Sequence, residues 1–185
     1  ATRLQNGNVA VVASGLRVRH ICPFGKTVIS YSEDDGETYT YPAPVIDTPL
    51  DDRDAGICKF GESGVILTSF NNSAEMQRGY NQDNAYVQSY IDTITKEDEE
   101  RFLGPTLRIS RDCGVTFGKL KMVPVTIPHG PLAMDDGSLL WIGRPYDHRN
   151  TKDCIKTYKE TADGEFELIG EIENIVNSYK EENID

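Results

Sequence analysis

The sequence has no apolar run approaching the ~20 residues that a membrane-spanning helix needs. It has no GxGxxG, P-loop or GxSxG motif, so dinucleotide binding, phosphate-loop nucleotide binding and α/β serine hydrolysis have no support. It is also poor in positive charge, because 19 Lys and Arg residues face 30 Asp and Glu residues and give a net charge of −11. An acidic protein repels phosphate backbones and anionic lipid surfaces, which argues against a nucleic-acid or membrane partner.

Cysteine and histidine are scarce as well. The four cysteines are Cys22, Cys58, Cys113 and Cys154, and none forms a CxxC pair. Isolated cysteines and the lack of a visible signal peptide predict free thiols and a cytoplasmic protein. The alternative is two disulfides in a secreted protein, because the chain begins within an apparent strand and an upstream segment could be missing. No Cys/His pair has the spacing of zinc ligands, so neither a metal nor another cofactor is predicted.

Two segments of the chain are near-copies of each other. Residues 32–39 and 110–117 both match S-x-D-x-G-x-T-aromatic between apolar runs. The matching residues are Ser32, Asp34, Gly36, Thr38 and Tyr39 in the first segment and Ser110, Asp112, Gly114, Thr116 and Phe117 in the second. A repeated turn between repeated strands indicates a repeat architecture. Glycine tolerates the positive φ of a hairpin turn, aspartate accepts backbone N–H groups, and the aromatic residue packs under the hairpin, so these carboxylates are predicted to be structural.

The repeat extends beyond these two turns. Residues 4–12, 60–68 and 134–142 each read as an apolar strand, an Asn/Asp/Gly turn and a second apolar strand. Together these segments resemble the Asp-box (bacterial neuraminidase) repeats of the sialidase superfamily, whose fold is a six-bladed β-propeller. The resemblance implies an all-β propeller domain of sialidase-like type with about three four-stranded blades, at about residues 1–48, 51–126 and 128–173.

Residues 71–104 interrupt the second unit and do not have the pattern of strands. Val87, Tyr90, Ile91 and Ile94 follow helical spacing, and residues 95–98 have the sequence of a capping box. One interpretation is a helical excursion that packs an apolar face on the sheets. The other is a wall over a substrate site that presents Tyr80, Tyr86 or Tyr90 to a sugar.

Three blades do not close a six-bladed ring, and open blades expose unpaired strand edges. We therefore expect either that the chain is a fragment of a longer propeller or that it closes by self-association with another copy. The sequence leaves both alternatives open.

The segment Asp51-Asp52-Arg53-Asp54 is the first candidate for chemistry. It precedes the expected innermost strand of the second unit, and such strands converge in a propeller. Arg53 has the fork that holds a sugar hydroxyl or carboxylate, and adjacent carboxylates suppress each other's ionisation, which makes Asp52 or Asp54 a candidate general acid. The alternative interpretation is a solvated acidic turn.

Three further segments are candidates. Alternation in an extended segment would place Arg17 and Arg19 on one side, as substrate-binding cations. His129 lies between two prolines at the start of the third unit, where it could orient a hydroxyl or act as an acid or base. Arg144 opens the polar loop 144–149 and is a further substrate-binding candidate. For each segment the alternative is an ordinary surface or packing role.

The resemblance to sialidases implies a site that holds a sugar carboxylate with arginines and uses an aspartate as acid/base. The family's acid/base aspartate lies before the first Asp box, where residues 17–25 contain no Asp or Glu. We predict an exo-acting glycoside hydrolase of sialidase-like type, with Asp52, Asp54 and His129 as its catalytic residues. A non-catalytic glycan-binding propeller and a purely structural scaffold are the alternatives.

Overall fold

The part of the chain that the structure describes is mostly β-structure and forms three antiparallel sheets in chain order. The computed structural model describes residues 1–146, 154–161 and 165–172. The first sheet contains β1 (Thr2–Arg3), β2 (Val9–Gly15), β3 (Lys26–Ser32) and β4 (Ala43–Ile46). The second contains β5 (Arg53–Phe60), β6 (Gly64–Phe70), β7 (Pro105–Ser110) and β8 (Lys121–Met122). The third contains β10 (Leu132–Ala133), β11 (Leu139–Pro145), β12 (Ile155–Glu160) and β13 (Phe166–Ile172), with β9 (Val125–Thr126) paired to β11.

The boundary between the second and third units lies earlier than predicted. The second unit was expected to extend to about residue 126, but the structure divides residues 121–126 between two sheets. Lys121 and Met122 pair with β7, whereas Val125 and Thr126 pair with β11. Pro124 separates the two pieces, and because proline has no N–H it cannot continue the ladder. The third sheet therefore begins at Val125 rather than near residue 128.

Both S-x-D-x-G-x-T turns have the same internal hydrogen bonds. In the first, Thr38 donates to Asp34 from its backbone N–H at 2.9 Å and from its hydroxyl at 2.6 Å. The Ser32 hydroxyl donates to Asp34 at 2.7 Å and accepts the Gly36 N–H at 2.8 Å. The second turn repeats this pattern with equal or near-equal distances at Ser110, Asp112, Gly114 and Thr116. Gly36 and Gly114 have φ of 97° and 83°, which confirms the positive φ expected of them.

The last residue of each turn behaves differently in the two copies. Phe117 packs against the core between the first and second sheets, as predicted. Tyr39 is 48% exposed and lies outside that core, but its hydroxyl lies against its own turn, 3.1 Å from a Cβ built on Gly36. The second turn also forms a hydrogen bond with the first sheet. The Tyr31 hydroxyl of β3 donates to the Gly114 carbonyl of this turn at 2.5 Å.

These turns predict a specific loss of stability in acid. Hydrogen bonds from Thr38 and Ser32 lower the pKa of Asp34 to about 2, and those from Ser110 and Thr116 do the same for Asp112. The aspartates ionise near 3.8 when unfolded, so their contribution is complete above about pH 4 and is lost as the pH falls towards 2. Asp34→Asn with Asp112→Asn should lower Tm at pH 7 and flatten its fall between pH 4 and 2. Asp35→Asn, on the exposed neighbour, is the control; an equal effect there would contradict the assignment.

Two apolar cores hold the sheets together, and β6 contributes to both. Val65 and Leu67 point into a cluster with Ala10, Ile29 and Ile46 of the first sheet. Ile66, between them, points into a cluster of the second and third sheets that includes Leu107, Val125 and Trp141. Successive side chains of a strand face opposite sides, which explains why β6 is apolar and buried on both faces.

The inserted segment is helical, as predicted, and forms three short helices. They are α1 (Ala74–Tyr80), α2 (Ala85–Ile91) and α3 (Lys96–Phe102). Val87 and Ile91 are fully buried, and Thr95 forms the expected capping box with Asp98. Tyr90 packs edge-on against Phe24 at a ring distance of 5.0 Å. α1 was not predicted, because its first turn is defined by a serine cap at Ser73 rather than by an apolar stripe.

The structure also bears on the cysteines and on membrane insertion. All four cysteines belong to the described residues and are free thiols. Within residues 1–146, 154–161 and 165–172, no helix has the length and apolarity needed to span a bilayer.

Candidate functional site

A buried carboxylate lies at the turn that leads into β5. Asp51 has no exposed surface, and its oxygens accept from the Arg17 and Arg53 guanidiniums, from Asn72 Nδ2 at 2.8 Å and from the Cys22 N–H at 3.2 Å. The Arg53 Nη1 contact measures 3.4 Å. A buried charge is stable only when it is paired and hydrogen-bonded, and Asp51 meets both conditions. We call Arg17, Asp51 and Arg53 the Asp51 cluster.

The two arginines of the cluster are largely buried. Their side chains are 14% and 11% exposed, for Arg17 and Arg53 respectively. The Arg53 guanidinium carbon lies 5.7 Å from the centre of the Phe70 ring, and its Nη2 lies 3.2 Å from His20 Nε2. As guanidinium nitrogens only donate, Nε2 of His20 accepts in this contact. Two guanidiniums thus share one buried carboxylate, next to an exposed imidazole.

The structure places Asp52 differently from the prediction. Its side chain is fully buried and accepts from the Thr48 N–H at 2.6 Å, the Thr48 hydroxyl at 2.9 Å and Asn71 Nδ2 at 3.5 Å. Burial raises the pKa of Asp52 to about 7, although the hydrogen bonds from Thr48 oppose this shift. A carboxyl enclosed in this way has no surface on which a sugar could lie, so the predicted contact between Asp52 and substrate needs correction.

Asp54 is the accessible carboxylate of the segment. Its side chain is 43% exposed, and its Oδ1 lies 3.7 Å from Arg53 Nε. Its backbone has a φ of 51°, in the left-handed region that aspartate tolerates better than most residues. The ladder between β5 and β6 shifts register between Arg53 and Gly56, so Asp54 lies in a bulge. Bulges re-aim side chains next to functional sites, and here the bulge turns Asp54 towards solvent.

Arg17 and Arg19 do not act as a pair. The segment that carries them is bent rather than extended, because Leu16 has a φ of 58°. Arg17 turns to Asp51, whereas Arg19 forms a two-pronged contact with Asp83 of the insertion at 2.6 and 3.0 Å. The predicted alternation is therefore wrong, and Arg19 lies in a surface ion pair outside the Asp51 cluster.

The residue after β11, Tyr146, lies close to Phe70 and Asn71, which contact Arg53 and Asp52. The Tyr146 hydroxyl donates to the Asn71 carbonyl at 2.6 Å, and its ring lies 6.4 Å from that of Phe70. Burial is the main cause of the raised pKa of Tyr146. The exposed Arg144 lies two residues earlier, where its carbonyl accepts from the Thr126 hydroxyl at 3.0 Å. The rest of the predicted loop, residues 147–149, lies outside the described residues.

His129 lies further along the sheet. It is exposed on a turn whose backbone packs against Gly56 and Ile57 of β5, and Gly130 has a φ of 91° there. Gly56 follows Arg53 by three residues, which is about 10 Å along a strand. The structure thus brings Arg17, Arg53 and Asp54 together with His20, and it leaves Arg19 and His129 outside this group.

Sequence reasoning missed His20 and the asparagines Asn71 and Asn72. Their contacts join residues that are 33, 19 and 21 positions apart, so no local motif marks them. One indication of the two asparagines is present in the sequence, which is that they lie between the strand pattern that ends at Phe70 and the helical insertion.

Comparison with known proteins adds information on the fold. No family model and no curated protein matches the chain. A crystal structure of a protein of unknown function from Dyadobacter fermentans DSM 18053 is similar, with a TM-score of 0.60 and 15% sequence identity. The match covers 92% of this chain and 52% of that one, so this chain spans about half the length of that protein. At this identity the likeness concerns the fold alone.

Proposed function

We propose that this protein binds terminal sugars of glycans at the Asp51 cluster. The observation that carries the proposal is the sharing of one buried carboxylate by two guanidiniums, Arg17 and Arg53, whose side chains keep 14% and 11% of their surface exposed. A planar guanidinium held in place by a buried partner offers a fixed fork to sugar hydroxyls or to a carboxylate. Phe70 supports Arg53 from one side, while Asp54 and His20 add an acceptor and an imidazole at the rim.

The proposed scaffold is a sialidase-like β-propeller. Three consecutive antiparallel sheets, two of them with an Asp-box turn, support this proposal. The third sheet leaves Ile142, Leu168 and Ile169 at least 44% exposed, which is a suitable surface for a further sheet. That sheet would belong to a longer chain or to a second copy.

Sugar binding is tested by titrating the protein with a panel of monosaccharides that includes sialic acid, glucuronic acid and galactose. Arg53→Lys keeps the charge but loses the fork, so we expect the dissociation constant of the best sugar to rise by about tenfold or more. Arg19→Lys is the matched control and should leave affinity unchanged, because Arg19 pairs with Asp83 outside the cluster. His20→Ala, at an exposed side chain, serves if Arg53→Lys fails to fold. The absence of binding by any sugar would refute the proposal.

Hydrolysis of the bound sugar is a second candidate, and the exposed Asp54 favours it. Its position 3.7 Å from Arg53 Nε would place a carboxylate next to the held sugar. Glycoside hydrolysis uses two carboxyl groups, so a second one would have to approach Asp54. Turnover of a panel of fluorogenic glycosides by the unaltered protein, and its loss in Asp54→Asn, would support hydrolysis. Sugar binding without turnover would reject hydrolysis and support a protein that only binds sugars.

A further inference from the structure

A groove of about 490 Å³ lies away from the Asp51 cluster, between the outer edges of the first and second sheets. Residues that follow β4 form one side, and β7, β8 and the end of α3 form the other. We call it the rim groove, and the residues that line it include Asp47, Arg101, Phe102, Arg108, Lys119, Lys121 and Met122. Its volume lies within the range of about 300–1,000 Å³ that is usual for small-molecule sites.

The rim groove is strongly cationic in a protein of net charge −11. Arg101, Arg108, Lys119 and Lys121 line it, against a single carboxylate, Asp47. Lys26 already pairs with Asp47, so that carboxylate does not neutralise the groove. Arg101 lies over the Phe102 ring at 4.8 Å. Among the described residues, Arg108, Lys119 and Lys121 have no ion-pair partner.

Arg108 gives the strongest indication of a ligand. It lies opposite Leu67 in the β6–β7 ladder, on the face that packs towards the first sheet. Its Nε is buried and has no hydrogen-bond partner in the part of the chain that the structure describes. The Nη groups of Arg108 likewise have no hydrogen-bond partner among the described residues and, unlike Nε, they are not enclosed, so an anion in the groove would accept from them.

We propose that the rim groove binds a small organic polyanion that carries phosphate, sulfate or carboxylate groups. Arg108 and the two lysines would hold the anionic groups, and Phe102 and Met122 offer apolar walls for the body of the molecule. The enclosed volume suits a small molecule, and the negative charge of the whole protein disfavours a polynucleotide. The site differs from the sugar site, because none of the residues that line the groove belongs to the Asp51 cluster.

Calorimetric titration with two probes tests this inference and distinguishes the source of the anion. Inorganic pyrophosphate represents phosphorylated ligands, and a sulfated disaccharide represents anionic saccharides. We expect at least one to bind, with an affinity that falls as salt rises. In Lys119→Gln/Lys121→Gln the dissociation constant should rise by about tenfold or more, because two charge-assisted contacts are lost. Both lysines are exposed, so this variant is expected to fold.

Lys59→Gln is the matched control, since Lys59 is an exposed cation outside the groove. Binding of pyrophosphate alone would assign a phosphorylated ligand, and binding of the disaccharide alone an anionic saccharide. Failure of both probes to bind, or equal affinities in the lysine variant and the unaltered protein, would overturn the inference. Because Arg53→Lys leaves the groove unchanged, the failure of one site is distinguishable from the failure of the other.

Discussion

Replacing Asp51 with alanine should lower the free energy of unfolding by about 3–5 kcal/mol, the range measured when one partner of a buried ion pair is removed. Asp51 is fully buried and accepts from Arg17 and Arg53. Without it, two largely buried guanidiniums would face each other uncompensated. Urea unfolding at pH 7 measures the change.

Asp83→Ala is the matched control for this prediction. Asp83 also pairs with an arginine, Arg19, but its side chain is 72% exposed, and exposed ion pairs contribute little to stability. We expect a clear loss for Asp51→Ala and almost none for Asp83→Ala. Similar losses in the two variants would show that the Asp51 cluster is solvated and would remove the rigid fork on which the proposed sugar site depends.

The second large effect is expected at Gly56. A Cβ built on this residue would lie 2.3 Å from the Gly130 nitrogen, 2.4 Å from Thr68 Oγ1 and 2.7 Å from the His129 carbonyl carbon. Two of these atoms are backbone, so Gly56→Ala must push the second and third sheets apart. Overpacking of this kind costs about 1–3 kcal/mol or more, and we expect a value near 3 kcal/mol in thermal or urea unfolding.

Gly79→Ala is the control for Gly56→Ala. Gly79 lies in α1, and a Cβ there would meet no atom within 4 Å. Alanine is the better helix former by about 1 kcal/mol, so this variant should be as stable as the unaltered protein or more stable. A neutral Gly56→Ala would contradict the close approach of the two sheets at this point. If Gly56→Ala folds, the His129 amide should show the displacement in its NMR chemical shift.

The parts of the fold that depend on local chemistry could be predicted from the sequence. Asp34 and Asp112 accept hydrogen bonds from residues within four positions, so the spacing of the motif is enough to predict the structure of the turn. The capping box at Thr95 is equally local. The division of residues 121–126 between two sheets was not predictable in this way, because an apolar run gives no information on which neighbour each end will pair with.

The candidate site was only partly predictable for a related reason. The composition of the segment 51–54 marked it for chemistry, yet the roles of its members depend on distant residues. Asp51 is paired to Arg17 across 34 positions, and Arg19 finds Asp83 across 64. Asp52 and Asp54 are close in sequence, but a bulge and a strained backbone leave one buried and the other exposed. The alternation of side chains along a strand therefore could not predict which of these two aspartates is buried.

The bond between Tyr31 and the Gly114 carbonyl has a mechanical consequence. This hydrogen bond links the turn of residues 110–117 in the second sheet to β3 of the first sheet. A force that separates the two sheets must therefore also distort this turn. The two sheets are therefore expected to melt in one concerted transition rather than to detach one after the other. Tyr31→Phe would remove this hydrogen bond while keeping the aromatic ring.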